Sequence, residues 1–262
     1  MSEIFKALVV QARVVYAFIL RDMRTRFGRS RLGYFWAVFE PLTGILALAL
    51  VFSVIDRGSP INVDIHLFFF TGIIPWTLFS RGVSMMSNVI EGSVSLLTYP
   101  QVKVIDVVIA RVVLEFATIF IVCILYLTVL YFWDIFDRIE NLLLSITVLM
   151  ICLIFGSAFG LVGAVIKLYL PGYSSFQGLL LRVLFFVSGA FFVADSMPQP
   201  IRDALWYNPV LHLVEWARSA FFYGFESRFY DPMYPILWML CFGFLGLAGE
   251  RVTRSKLRQL GV

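Results

Sequence analysis

The sequence contains several stretches of about 20 residues with almost no charged side chain, and this feature constrains the fold more than any other. A helix of about 20 apolar residues crosses the ~30 Å hydrocarbon core of a bilayer. Because lipid offers no water to backbone groups, such segments fold as helices rather than as open strands. Composition agrees, since 60% of the residues are hydrophobic and 15% are charged, against about 45–50% and roughly 25% in soluble domains. The pattern predicts an all-α polytopic membrane protein.

The whole chain, 1–262, is predicted to form a single transmembrane domain. The predicted spans are 34–55, 66–87, 107–132, 142–166, 176–194 and 233–250. Before them, residues 1–32 form an amphipathic helix, because Phe5, Leu8, Ala12, Val15 and Ile19 recur at three- and four-residue steps. A helix with one apolar face and a basic stripe is typical of the membrane interface.

Basic residues predict the orientation of the chain. Residues 1–32 hold seven Lys and Arg, and the C-terminal tail holds four. The second-to-third and fourth-to-fifth connections hold four more, counting Lys167 and Arg182 with the latter, whereas five lie on the opposite side. Because cytoplasmic loops carry the excess of Lys and Arg, both termini are predicted to be cytoplasmic.

The segment 195–232, between the fifth and sixth spans, is too polar to cross a membrane and too aromatic for an ordinary loop. Asn208-Pro209 predicts a helix start, with Asn as the cap and Pro in the first helical position. Pro198 and Pro200 mark a shorter helix before it. We expect two short helices that either dip into the outer leaflet or lie along it.

Motifs for chemistry within the chain are absent. There is no GxxxxGK[ST], GxSxG or HExxH stretch, and the cysteines lack metal or disulfide spacing. Of the two histidines, His212 lies three residues before Glu215, which favours a local hydrogen-bonded pair over a metal or catalytic site. We therefore predict no catalytic residue and no metal site, so uphill transport must draw on an ion gradient or a separate ATPase.

Charges within the spans bear on that choice. Glu40 and Arg81 lie near the cytoplasmic ends of the first two spans, and Arg111 and Glu115 are spaced for an i,i+4 ion pair at the start of the third. None is predicted at the bilayer midplane, where a proton relay would lie. This distribution, with no clear repeat between the halves, favours a partner ATPase over an ion-coupled carrier. Glu40 is predicted to be a paired carboxylate that holds the helix entry, rather than a substrate contact.

The stretch RTRFGRSRLGYFWAVFEPL at 24–42 resembles the entry to the first span of ABC-2 type permeases. The resemblance continues in IPWTLFSRGV at 74–83, LLTYPQVKVIDVVIARVVLE at 96–115 and NPVLHLVEWAR at 208–218. It is closest to the branch that exports group 2 capsular polysaccharide across the Gram-negative inner membrane. It implies the ABC-2 (type V) exporter fold and a homodimer bound to two copies of an ATPase. ATP and Mg would then be bound by that partner, and this chain would need no cofactor.

The resemblance also implies roles for particular segments. The connection 88–106 would carry a coupling helix, and the segment 195–232 would form a periplasmic gate. Periplasmic and outer-membrane capsule components would be further partners. The ATPase contacts would be Glu91, Leu97, Tyr99, Pro100, Lys103 and Lys167. The gate residues would be Trp206, Asn208, His212, Glu215 and Arg218.

Sugar rings pack their C–H faces on aromatic rings, so aromatic side chains in the spans are candidates for lining a polysaccharide channel, although aromatics also fill membrane cores. Those candidates are Tyr34, Phe35, Trp36, Phe69, Trp76 and Phe79. The polymers of this branch are acidic and end in a phospholipid, so basic side chains at the cytoplasmic mouth are candidates for receiving them, or for binding lipid or the ATPase. The candidates for substrate entry are Arg24, Arg26, Arg29, Arg31, Arg81 and the carboxylate of Glu40.

Other interpretations remain open at this point. Gly156, Gly160 and Gly163 give the fourth span a small-residue face that serves either a dimer contact or packing within one subunit. The cargo of an ABC-2 permease could also be O-antigen, teichoic acid or a small hydrophobic molecule. A polytopic acyl- or glycosyltransferase would instead use His66, His212 or Glu215.

Overall fold

The structure is a computed structural model that describes residues 3–27, 33–54, 58–93, 103–170 and 172–259. Regular structure in these ranges is helical, apart from single 3₁₀ turns at Glu91–Ser93 and Ala194–Ser196. The helices are α1 Glu3–Phe27, α2 Gly33–Val54, α3 Ile65–Met86, α4 Val104–Phe132, α5 Leu142–Tyr169, α6 Tyr173–Val187, α7 Gln199–Leu205, α8 Pro209–Phe221 and α9 Met233–Gln259.

Three helices of the described residues are long and apolar enough to cross a bilayer: Val104–Phe132, Leu142–Tyr169 and Met233–Thr253. Two shorter apolar helices, Phe39–Val54 and Tyr173–Val187, accompany them. One further helix at a predicted span, α3, has most of its residues buried. The described residues therefore have the all-helical, apolar architecture that the composition predicts.

The predicted spans agree with the helices at their starts, within three residues, but the fifth ends early. It was predicted over 176–194, whereas α6 ends at Val187. Gly189 then adopts a φ of +79°, a conformation that reverses the chain and that residues with a side chain rarely adopt. As a second correction, Arg182 lies inside α6 and does not belong to the connection before it.

The core is built around close packing of α3 against α5. A Cβ atom on Gly156 would meet the backbone of Phe79, and one on Gly160 would meet the backbone of Val83. On the α3 side, a Cβ on Gly82 would lie 2.8 Å from the carbonyl oxygen of Leu153. The glycine face of α5 thus serves packing within one subunit, which decides between the two roles that the sequence left open for Gly156 and Gly160.

The N-terminal helix α1 packs on α4 through a face that differs in part from the predicted one. Phe18 is buried, whereas Phe5 and Ala12 are exposed. The Gln11 amide donates a hydrogen bond of 3.0 Å to Asp106, whose second oxygen accepts the Lys103 N–H and caps α4. Polar contacts with α4 therefore shift the buried face of α1 away from the one that apolar spacing alone indicates.

Asparagine side chains cap the starts of α5 and α8. The Asn141 side chain accepts the Leu144 N–H at the start of α5, and the Asn208 side chain accepts the Val210 N–H at the start of α8. Asn208 also donates to the carbonyl of Val187, the last residue of α6. The predicted helix start at Asn208-Pro209 is confirmed, and its cap residue also joins α8 to the end of α6.

Candidate functional site

A cavity of about 470 Å³ opens between α1, α3 and α4. We call the end of the bundle that holds it the basic end. Its walls carry three guanidinium groups and two carboxylates, together with smaller polar and apolar side chains. The lining residues are Arg21, Asp22, Arg81, Ser84, Met85, Asn88, Arg111, Leu114 and Glu115.

Arg81 joins two helices from its position on α3. One guanidinium nitrogen lies 2.7 Å from an oxygen of Glu40 on α2, and the other lies 2.8 Å from an oxygen of Glu115 on α4. The Glu40 side chain is 75% exposed, whereas Glu115 is completely buried. Glu40 is therefore a paired carboxylate, and the pair joins α2 to α3 about two turns after α2 begins.

Arg111 forms a second bridge in the same cavity. Its Nε lies 3.5 Å from Asp22 on α1, and its Nη1 donates to the Met85 carbonyl at the end of α3. The predicted i,i+4 pair between Arg111 and Glu115 is corrected by these contacts, because Arg111 pairs with Asp22 on α1 and Glu115 pairs with Arg81 on α3. Side chains on α1 and α3 reach α4 closely enough to replace the local pairing.

Lys167, near the end of α5, contacts the connection that follows α3. Its ammonium group lies 2.6 Å from Glu91 and 2.7 Å from the side-chain oxygen of Asn88. Glu91 and Lys167, both predicted as ATPase contacts, therefore pair with one another, and Lys103, which precedes α4, is exposed. The pair joins the two connections of the basic end into one surface.

The electrostatics of the cavity limit what it can bind. Guanidinium groups match carboxylate and phosphate oxygens, but Arg81 and Arg111 already contact Glu115 and Asp22. An anionic group that entered would compete with these carboxylates. The cavity is thus a polar site between α1, α3 and α4 whose charges an acidic ligand could rearrange.

At the opposite end, Arg218 and Glu215 on α8 form a fully buried ion pair at 3.3 Å. The Arg218 guanidinium donates to the carbonyls of Gly189 and Phe192 and lies over the Phe68 ring. Glu215 accepts the Ala194 N–H at 3.0 Å. Two predicted gate residues thereby hold the chain reversal after α6 against α8 and α3.

His212 is buried and bonded through both ring nitrogens. Nδ1 accepts the Asp231 N–H at 3.0 Å, and Nε2 lies 2.8 Å from the Trp206 carbonyl, to which it donates. Burial lowers the pKa of His212, and the Trp206 carbonyl and Asp231 oppose this to a smaller extent. The predicted pair of His212 with Glu215 is corrected, because each side chain has other partners. With both nitrogens occupied, His212 is unsuited to acid–base catalysis.

The aromatic residues predicted to line a channel include buried and exposed side chains. Phe69 and Phe79 are core residues, and Trp76 stacks at an angle on Phe185 of α6. These three rings pack between helices of the same chain, and their burial gives them no surface to offer a polymer in this arrangement. Among the candidates whose side chains the structure describes, Trp36 is the one with an exposed ring, at 59% of its surface. Burial of α3 between its neighbours explains the difference.

Arg24, from the predicted entry set, is exposed on α1. Several other predicted residues lie outside what the structure describes, some wholly and some in their side chains. The wholly undescribed ones are Arg29, Arg31, Leu97, Tyr99 and Pro100, and those without a described side chain are Arg26, Tyr34 and Phe35.

Sequence reasoning missed Asp22 and Asp106, which join α1 to α4. Asp22 lies in a basic stretch of the sequence, and Asp106 lies in an apolar one. An isolated acidic residue in such a stretch indicates a carboxylate that pairs with a cation or an amide. This signal would not have identified the partner, because each contact spans a large separation along the chain.

Residues 13–222 match the model of the family described as ABC-2 type transporter. The chain is 32% identical over 248 residues to the polysialic acid transport protein KpsM of Escherichia coli, a match that covers 95% of this chain and 96% of that protein. It is 28% identical over 250 residues to the capsule polysaccharide export inner-membrane protein CtrC of Neisseria meningitidis serogroup B, covering 94% and 93%. It is 29% identical over 219 residues to the capsule polysaccharide export inner-membrane protein BexB of Haemophilus influenzae, covering 83% and 82%. With a family match over most of its length, this chain is a member of the ABC-2 type transporter family.

Proposed function

We propose that this chain is the membrane subunit of an ABC exporter that carries an acidic, lipid-linked capsular polysaccharide across a bacterial inner membrane. Two copies would form the channel and would be driven by two copies of a separate ATPase. The observation that carries the proposal is the end-to-end similarity to relatives named for capsule polysaccharide export and polysialic acid transport. The contacts of His212 weigh against the alternative of a membrane transferase.

In this proposal α2 to α6 and α9 are the six spans, and the basic end faces the cytoplasm. The excess of Lys and Arg at that end supports the orientation, even with Arg182 moved into α6. The short helices α7 and α8 then lie at the periplasmic side and form the exit gate. The attachment of α8 to the end of α6 through Asn208 and Arg218 supports this role.

The ATPase would dock on the surface formed by the connection after α3 and the end of α5. The contact of Lys167 with Glu91 and Asn88 supports this, because movement of one connection would be transmitted to the other. The lipid-linked end of the polymer would enter beside the junction of Glu40 and Arg81. An acidic terminus that displaced Glu40, the exposed partner, would loosen α2 from α3 and so couple loading to a change in helix packing.

Complementation tests the proposal. The chain is expressed, with and without its companion ATPase, in a Gram-negative strain whose own capsule permease gene is deleted. We expect surface capsular polymer only when both are present, and lipid-linked glycan in the purified complex. A complex whose ATPase responds to small hydrophobic drugs and not to lipid-linked glycan would contradict the proposed cargo.

A further inference from the structure

Arg182 is a cation in the middle of an apolar helix. The helix α6 has 15 residues, a length of roughly 22 Å at 1.5 Å per residue, and Arg182 lies roughly 13 Å from its start. The Arg182 side chain is exposed on the single chain. No ion pair or side-chain hydrogen bond recorded among the described residues involves it. A charge at such a depth is expensive in lipid and marks a functional position by default.

The surface of α6 has three parts. Gln177, Leu181 and Phe185 face the core, and Gln177 is buried. On the outer surface, one stripe is apolar and more than half exposed, and it consists of Phe176, Leu179, Val183 and Phe186. Beside it runs a flank of small and polar residues.

That polar flank consists of Ser175, Gly178 and Arg182, at the three- and four-residue spacing that aligns side chains along a helix. All three are exposed. Within the described residues, a Cβ on Gly178 would meet no atom within 4 Å, so the surface beside Arg182 is open. The apolar stripe is suited to lipid or to another apolar helix, whereas this flank is suited to water.

We propose that the polar flank of α6 lines the water-filled translocation path and that Arg182 binds carboxylate or phosphodiester groups of the passing polymer. The inference rests on the proposed function. Charge complementarity selects this occupant, since one relative is named for the transport of polysialic acid, a polymer whose name itself denotes an acid. A guanidinium group donates paired hydrogen bonds to such oxygens.

The site also has the properties that transit requires. A moving polymer must be bound strongly enough to enter and weakly enough to leave. An exposed arginine for which no partner is recorded among the described residues is suited to such transient contacts. In a homodimer the two copies of Arg182 would contribute one cation each.

Thiol accessibility tests the location of the flank. In a Cys241→Ser background, which leaves the buried Cys123 and Cys152, R182C and V183C are compared in membranes that contain the full exporter. A charged, membrane-impermeant methanethiosulfonate reagent should label R182C and not V183C. Absence of R182C labelling, in both resting and ATP-driven exporter, would overturn the location of the flank in the path.

Export tests the binding role. R182Q should lower the export rate by about tenfold, the factor that corresponds to ~1.4 kcal/mol, while R182K retains most of it. V183Q is the control: it places the same glutamine on the neighbouring residue of the apolar stripe, and so measures the effect of a buried or lipid-facing amide on export. Each variant is purified with its ATPase so that assembly is measured separately from export.

Three outcomes would overturn the binding role: equal export by R182Q and V183Q, equal loss in R182K and R182Q, or a loss that disappears in vesicles without anionic phospholipid. The last would assign Arg182 to the headgroups of anionic phospholipids. If the wild-type chain itself exports no capsular polymer, the proposed function fails, whereas the labelling of R182C still reports whether the flank is wet.

Discussion

The Arg81 guanidinium forms two ion pairs of similar length whose carboxylates differ in burial, and so in their expected contribution to stability. Its partner Glu115 is completely buried, and its partner Glu40 is mostly in solvent. Removing one member of a buried pair leaves an uncompensated charge, whereas exposed ion pairs contribute little. Stability should therefore depend on Arg81 with Glu115, and Glu40 remains available for a changing role.

Arg81→Met should lower the free energy of unfolding by about 3–5 kcal/mol, because it removes the guanidinium that faces the buried Glu115 carboxylate. Glu40→Gln should cost less than about 1 kcal/mol. Thermal unfolding of the purified variants in lipid nanodiscs measures both. Equal losses would show that the exposed pair is as important for folding as the buried one.

His212 gives the stability of the α7–α8 region a predictable dependence on pH. Burial lowers the pKa of this imidazole in the folded chain, so its contribution is complete above the ordinary value of about 6.5 and is lost as the pH falls below it. Each pH unit below that value removes up to about 1.4 kcal/mol.

The melting temperature should therefore fall between pH 7.5 and pH 5.5 in the wild-type chain. His212→Phe keeps an aromatic ring beside Trp206 and Phe229 and should flatten this fall, at the cost of a lower melting temperature at pH 7.5. His66→Phe is the control, because it changes the other histidine. A pH slope that follows His66 would refute the assignment.

Residue contacts were predictable from the sequence only where they are local. The Asn208 cap depends on a side chain and the N–H group two residues later, so its prediction is confirmed. The predictions for Arg111 and His212 were wrong because both assumed a partner on the same helix. Arg111 pairs with the Asp22 side chain on α1, and the His212 ring bonds to backbone groups of Trp206 and Asp231.

At the scale of elements, the glycines of α5 set how closely two helices can approach. Gly160→Val would place its side chain against the Val83 backbone, and Gly156→Val would meet the Phe79 backbone. Because backbone cannot yield as a flexible side chain can, each change should cost about 1–3 kcal/mol or more. The yield of folded protein and its unfolding temperature measure the loss.

Gly44→Val on α2 is the matched control, since a Cβ there meets no described atom within 4 Å. It should leave both measurements nearly unchanged. Comparable damage at Gly44 would mean that loss of helix flexibility, and not overpacking, explains the result.

The positions of the helices were largely predictable, since long apolar runs and start signals are properties of the local sequence. The end of the fifth predicted span was not, because residues 188–194 are apolar although the chain reverses there. The cause is tertiary: the Gly189 and Phe192 carbonyls accept hydrogen bonds from Arg218 on α8. Hydropathy alone cannot register such a bend.

At the scale of the whole molecule, the charge asymmetry predicts the topology. A green fluorescent protein fused to the C-terminus should fluoresce, because it matures in the cytoplasm. Alkaline phosphatase fused after Asp137, in the turn between α4 and α5, should be active, because it requires the periplasm. The reciprocal fusions serve as controls, and the opposite pattern would reverse the proposed orientation.

Uneven packing divides the subunit into a part that is difficult to deform and a part that is not. The backbones of α3 and α5 touch along their glycines, and α8 is held to α3 by a buried arginine. By contrast, α2 is joined to α3 at the basic end through the exposed Glu40, and α6 exposes most of one side. A transport cycle acting on this subunit would have a rigid part, α3 with α5 and α8, relative to which α2 can move. The helix α6 is fixed to that rigid part at its C-terminal end through Asn208 and Arg218. The polymer would then be moved by displacement of α2, and by tilting of α6 about its fixed end, and not by remodelling of the core.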